Sequence, residues 1–266
     1  MLAVAKALAR TAGIERKHVA AARMLIERHA LATTPRPHQR RGGRILCYHS
    51  VDEPEMGVND VRAAQLRQHI ELMIERGHRF VPASDIALSG GSPNDIAITF
   101  DDGCNSVFTH AAKIFAEYSI PWSLFVVTNW SSHTEEWSRS RFVSWAEIER
   151  LVEAGVEIGS HTRTHPDFGK IGRAQMLDEL AGSRLDFQKR LGFSPTSFAI
   201  PLGQSMNWTP EAGAIAREAG YQLIYAQAED TRPYDTIPRT FVTRFDNRRI
   251  FSALLAGAYD RWEEWV

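Results

Sequence analysis

Two cysteines, Cys47 and Cys104, are all that the 266 residues contain. With no CxxC pair and no third thiol, they can build neither a disulfide framework nor a zinc ribbon, and such sparing use fits a reducing compartment. Long apolar runs are missing as well. The apolar opening MLAVAKALARTAGI is cut by Lys6 and Arg10, well short of the roughly 18 apolar residues of a membrane span. The same cuts spoil it as a signal peptide, which needs about 7 to 15 continuous apolar residues and a small-residue cleavage site. The expectation is therefore a cytoplasmic protein. Overall charge is nearly balanced, with 31 Lys+Arg against 32 Asp+Glu, which speaks against a nucleic-acid binder. What remains is 44% hydrophobic and 10% aromatic, an ordinary globular composition.

The balance is not uniform. Residues 1–41 hold nine Lys+Arg but only Glu15 and Glu27, so a basic extension precedes a mildly acidic remainder. Two helical pieces are expected there, one before Gly13 and one from Ile14 to Leu31, with Val19, Ala22, Leu25 and Ile26 on one face and with Pro35 and Pro37 ending the pattern. That extension is read as packed on the main domain, and a peripheral membrane contact is the second reading. From Arg44 onward, short apolar runs (RILCYHSV, IAITF, SLFVVT, VEIGS, SFAIP, YQLIYAQ) alternate with amphipathic stretches. This rhythm predicts an α/β fold of about seven parallel strands, barrel-like or open, in one catalytic domain over 42–266. Phe251, Leu254, Leu255, Ala258 and Trp262 suggest a closing helix, with a membrane-facing role for Trp262 and Trp265 as the lesser alternative.

Sites of parallel α/β folds lie at the C-terminal ends of strands. Three strand ends carry unusual residues. IAITF ends in Asp101-Asp102-Gly103, and two adjacent carboxylates are costly unless something positive separates their roles; a turn with a helix N-cap is the plain alternative. VEIGS is followed by His161-Thr162-Arg163-Thr164-His165, whose spacing puts two imidazoles on one face if the segment turns helically. SFAIP runs into Pro201-Leu202-Gly203. One carboxylate and two histidines make an Asp-His-His set with open positions, suited to hydrolysis or to oxygen chemistry.

TFDDG, then SHTRTH about sixty residues later, then FAIPLG about forty residues further, together resemble the polysaccharide deacetylase family with its nodulation-protein-B homology domain, a carbohydrate esterase family. The likeness extends over roughly residues 44–246, and the early Tyr48-His49 is similar to the members that deacetylate biofilm poly-N-acetylglucosamine. The resemblance implies a distorted (β/α) barrel and a divalent metal, zinc first with cobalt, nickel or iron as alternatives. It also implies an amino-sugar glycan as substrate; with no convincing export signal and a basic N-terminal segment, a lipid-linked saccharide at the inner membrane face is the other expected form. By the same resemblance Asp101 is the general base, Asp102, His161 and His165 the metal ligands, and the Leu202 N–H the oxyanion donor. Many members carry a late histidine as general acid. No histidine follows His165 here, so His49 is the candidate acid, ahead of His110 and His133. The arginine that positions the catalytic Asp in many relatives is also missing from the third motif. Arg239 could supply that guanidinium or form an ordinary salt bridge, and Pro201 and Arg239 stand as candidate substrate contacts.

Trp130, Trp137 and Trp208 are candidate stacking platforms with core packing as the alternative, and Cys104 is read as packing rather than ligating. Two other functions compete with deacetylation: a non-haem iron oxygenase using Asp102, His161 and His165, and a relative that binds glycans without turnover.

Overall fold

Short apolar runs bounded by Gly, Pro and Asp make the strands, and each is followed by a segment of helical period. The computed structural model describes residues 16–33, 41–227 and 235–263. The helix expected before Gly13, the breaks at Pro35 and Pro37, and Trp265 lie outside the described residues. In chain order the elements are α1 (Arg16–Thr33), β1 (Arg44–Tyr48), β2 (Ser50–Val51), a 3-10 segment (Pro54–Asn59), β3 (Asp60–Val61), α2 (Ala63–Glu75), β4 (Arg79–Phe80) and α3 (Ala83–Ser89). Then come β5 (Asp95–Phe100), α4 (Ala112–Tyr118), β6 (Trp122–Val126), α5 (Thr128–Ser131), α6 (Glu136–Arg139), α7 (Trp145–Glu153), β7 (Glu157–Ser160) and α8 (Arg173–Leu191). The last are β8 (Ser197–Ala199), α9 (Pro210–Glu218), β9 (Leu223–Tyr225), β10 (Thr240–Phe241) and α10 (Arg248–Leu255). Helix starts follow local chemistry: Ser144 and Glu147 form a capping box on α7, and Thr209 caps α9 ahead of Pro210.

The sheet runs β10-β1-β5-β6-β7-β8-β9, with β4 added to β5 off this path, and its ladders are parallel. Every residue of β1, β5 and β6 is buried, as expected of strands covered on both faces. The sheet is a curled, distorted barrel, and one short segment reaches both of its edges. Ile237 bridges Tyr225 of β9, and three residues later Thr240 and Phe241 pair with Leu46 and Cys47 of β1. Arg239 therefore sits where the two edges approach. Parallel ladders also put the ends of β1, β5, β7 and β8 on one rim.

Helix α1 corrects the sequence reading of its faces. Val19, Leu25 and Ile26 are exposed, whereas Met24 and Arg28 are buried. Arg28 is the reason. Its guanidinium is fully buried, paired through two nitrogens with Asp246 at 2.5 Å, bonded to the Phe241 carbonyl at 3.2 Å and covered by the rings of Tyr259 and Trp262. A buried charge that is bidentate and roofed by aromatic faces outranks an apolar stripe in setting how a helix docks. Trp262, half-buried against Phe241, belongs to this packing. Among the described residues no helix is long and apolar enough to cross a membrane.

The same corner holds His69 of α2. Its ring stacks on Phe251 with centroids 3.8 Å apart; the Tyr48 hydroxyl donates to Nδ1 at 3.0 Å, and Nε2–H donates to the Asp246 carbonyl at 2.5 Å. Burial pushes the imidazole down from 6.5 to about 4. Between those values the unfolded chain binds a proton that the folded one refuses, so stability present above pH 6.5 is lost as the solution is acidified towards pH 4. The contribution is about 3 kcal/mol at most. Urea unfolding of the parent and His69→Gln at pH 7 and pH 4.5 checks it: the variant should lose about 2 kcal/mol less on acidification, and equal losses would remove His69 as the cause.

Candidate active site

The rim collects side chains from five separate stretches of chain. Cys47 and His49 come from the end of β1, Asp101 and Asp102 from the end of β5, His161 and His165 from the segment after β7, Leu202 from the segment after β8, and Arg239 from the segment before β10. All eight line one pocket.

The two adjacent carboxylates face different partners. Asp101 accepts two bonds from Arg239, Nη1 to Oδ1 at 2.7 Å and Nη2 to Oδ2 at 2.6 Å. Arg239 in turn donates to Thr99 Oγ1 and to the Ala226 carbonyl. Burial pushes the Asp101 carboxyl up, but the charges of Arg239, His161 and His49 outweigh it and hold it at about 2. Asp102 turns the other way because its φ is 70°, a left-handed conformation that Asp tolerates better than most residues, and Gly103 follows with the Gly103 N–H bonded to the Asp101 carbonyl. Asp102 Oδ1 lies 3.5 Å from His161 Nε2 and 3.4 Å from His165 Nε2, yet is buried without a hydrogen-bond partner among the described residues. Burial raises and the two imidazoles lower the Asp102 carboxyl, with the net effect below the usual carboxylate range.

His161 Nδ1–H donates to the Ala199 carbonyl at 2.8 Å, which leaves Nε2 as a lone-pair donor aimed at Asp102. Desolvation opposes protonation of this ring, but Asp101 and Asp102 prevail and raise its pKa. At His165, burial prevails over Asp102 and pushes the ring down to about 4. The chain between the two histidines is not the helical turn that their spacing suggested. Thr162 and His165 take left-handed φ values of 72° and 62°, and Glu179 of α8, itself buried, accepts the N–H groups of Arg163 and Thr164 at 2.9 Å. A buried carboxylate on two successive N–H groups holds an irregular turn that these residues would otherwise avoid.

These residues fit a divalent cation. Each imidazole nitrogen stands 3.4–3.5 Å from one carboxylate oxygen, matching the edge of about 3.4 Å in a tetrahedron with ligands near 2.1 Å, and Oδ1, without a hydrogen-bond partner among the described residues, needs such a partner. A second group, Cys47, His49 and Asp101, also has its donor atoms within 4.8 Å of one another.

The other predicted residues divide. His49 packs edge-on against Phe241, its Nδ1 is buried without a hydrogen-bond partner among the described residues, and burial lowers its pKa against the pull of Asp102 and Asp101. Leu202 has φ 64°, and its N–H donates to none of the described groups. Pro201 is buried away from the pocket lining. Trp130 stacks on His165 at 5.5 Å and Trp137 meets Trp130 edge-on, whereas Trp208 is a core residue against Phe168 and Phe198. Cys104 is fully buried in the core; His110 is exposed, and His133 donates to or accepts nothing in the pocket, bonding the Phe142 carbonyl instead. Sequence reasoning missed Glu179 and Asn59. Asn59 Oδ1 is buried in the pocket lining without a partner among the described residues, and nothing in its local sequence distinguishes it from a turn asparagine.

A family model described as polysaccharide deacetylase matches residues 89–224, just over half of the chain. The chain is 22% identical over 186 residues to the YxkH protein of Bacillus subtilis (strain 168), covering 67% of this chain and 62% of that protein. It is 34% identical over 86 residues to the chitooligosaccharide deacetylase of Sinorhizobium fredii (strain NBRC 101917 / NGR234), covering 32% of this chain and 35% of that one. In both cases it spans less than two thirds of the relative's length. The solved structure of IcaB from Ammonifex degensii is similar with a TM-score of 0.69 at 26% identity, over 83% of this chain and 98% of that one. Cys47, His49 and Arg239 lie outside the segment that the family model matches.

Proposed function

The chain belongs to the polysaccharide deacetylase family, and from that premise we propose that it hydrolyses the N-acetyl group of an N-acetylhexosamine in a glycan or glycolipid precursor, releasing acetate and a free amine. The observation that carries this reading is the division of labour between neighbouring carboxylates: Asp102 faces two imidazoles with an orphaned oxygen, while Asp101 is locked on Arg239. An oxygenase would use the first arrangement but has no need of the second. The amino-sugar substrate is supported by the chitooligosaccharide named for one relative.

Asp102, His161 and His165 would hold the cation, zinc foremost and cobalt, nickel or iron acceptable to the same donors. When bound it would polarise the amide carbonyl and acidify a water. Asp101, kept ionised by Arg239, accepts the proton of the attacking water. The Leu202 N–H donates to the developing oxyanion. His49 protonates the leaving amine. Because burial lowers its pKa, it serves first as an acceptor. A ring nitrogen of His49 and an Asp101 oxygen lie within 4.8 Å of each other, a span that one water can bridge to pass on the proton that Asp101 has taken. Trp130 and Trp137 offer a stacking face beside His165 for the sugar ring.

The test is acetate release from chito-oligosaccharides, a peptidoglycan fragment and lipid-linked amino sugars, with metal-stripped and metal-restored protein. Release that needs the metal supports the reading. Silence across the panel at full metal occupancy overturns it and favours a glycan binder, and oxygen consumption with restored iron would point to the oxygenase.

We further place residues 42–266 as the catalytic unit, with the basic segment before it as a contact for an anionic membrane surface at its inner, cytoplasmic face, where lipid-linked sugars are presented. The outward stripe of Val19, Leu25 and Ile26, with Val19 and Ile26 59% and 68% exposed, and the local excess of Lys+Arg support it. Sedimentation with anionic vesicles should be strong at low salt and weaker at physiological salt; no sedimentation at either, or equal sedimentation with neutral vesicles, would remove the contact.

A further inference from the structure

We propose that Cys47, His49 and Asp101 form a second, thiophilic metal site in the pocket, separate from Asp102, His161 and His165, and that filling it inhibits the enzyme. The inhibitory half rests on the deacetylase reading; the site itself does not. Three observations carry it. The Cys47 thiol donates to Asp101 Oδ2 at 3.5 Å, and a tetrahedral ion with sulfur at about 2.3 Å and oxygen at about 2.1 Å sets those two atoms about 3.6 Å apart, so it can take the place of the shared proton. His49 Nδ1 is buried and has no hydrogen-bond partner among the described residues, although a buried ring nitrogen is normally satisfied. The donor atoms of all three residues fall within 4.8 Å of one another.

Arg239 does not close the site. Its two bonds occupy one lone pair on each Asp101 oxygen, and a carboxylate has a second on each, so Oδ2 can still face the thiol. The guanidinium does oppose a nearby cation, but a thiolate and a carboxylate bring two negative charges against it. Binding exchanges the Cys47 S–H bond for a sulfur–metal bond and releases the proton to solvent. A thiolate makes this a soft site, selecting zinc, cadmium or thiophilic cobalt complexes over magnesium or calcium. Asp101 and His49, the two groups given proton transfer, would then be engaged by the ion, so excess metal opposes the activity that the first equivalent supports. Cys104 offers no such site: it is fully buried in the apolar core.

Titration of the metal-free full chain with Co²⁺, read by absorption, decides it. The parent should take up two equivalents, the second with a near-ultraviolet thiolate-to-cobalt charge-transfer band. Cys47→Ser should lose that band and the second equivalent while keeping the first, which also shows that the variant is folded; Cys104→Ser should keep both. If Cys47→Ser fails to bind the first equivalent, His49→Gln takes its place and should weaken the second step at least tenfold. A parent that binds one equivalent with no such band, or a band that survives in Cys47→Ser, overturns the site. In acetate release, zinc beyond one equivalent should lower parental turnover at least tenfold and leave the ratio in Cys47→Ser near one. A band that follows Cys47 in a protein without turnover upholds the site and defeats the deacetylase reading; turnover without the band does the reverse.

Discussion

Asp101→Asn should lower kcat by about a thousandfold, within the span of positioned acid–base catalysts, while KM and the first metal equivalent, at Asp102, His161 and His165, stay close to parental. The amide keeps the shape of the carboxylate and one acceptor for Arg239, but it cannot take a proton. Its NH₂ faces a guanidinium that formerly met two oxygens, so a loss of stability of about 1–3 kcal/mol accompanies the change. Bound metal measured beside acetate release separates the two effects, because Asp102 and the histidines are untouched. Turnover within tenfold of the parent would assign the base elsewhere.

Arg239→Met should act on the same carboxylate from the opposite side. Removing one partner of a buried ion pair strands the other, which costs about 3–5 kcal/mol. Without the guanidinium the Asp101 carboxyl rises from about 2, since the burial that Arg239 offset is left in place. The base must be ionised to work, so the acid limb of kcat/KM should move to higher pH in the variant. Arg239→Lys should restore part of that shift through its charge and little of the stability, because an ammonium cannot span both oxygens. A residue that merely braced the fold would lower the amount of active protein without moving the pH profile, and that outcome would reduce Arg239 to a structural role.

Arg239 was named from the sequence as a candidate, but nothing local fixed its partner. The motif that carries an arginine in many relatives has Ile200 and Leu202 around Pro201 here, and the guanidinium instead enters from the segment that bridges β9 and β1. Its partner is 138 residues away, and no local pattern connects them. Glu179 is similar. On α8 it reads as one more surface acid of an amphipathic helix, yet it is buried and fixes the turn between His161 and His165. The faces of α1 were misjudged for the same reason: an apolar stripe is visible at helical spacing, but a partner for Arg28 at Asp246 is not.

The sequence by itself determined the alternation of strands and helices, the parallel sheet, and the strand ends at which Asp101, Asp102, His161 and His165 stand, because period, β-branched runs and Gly or Pro boundaries are properties of neighbouring residues. The resemblance already divided the carboxylates, Asp102 with the imidazoles and Asp101 as base; only the tertiary structure decided that Arg239 is the guanidinium on Asp101, how His49 and Cys47 reach that pocket from β1, and which side of α1 faces the protein. Each of these is settled by burying charge: a charged group taken out of water must find its partner wherever the chain brings one, and that partner is chosen by the closing of the sheet, not by distance along the sequence.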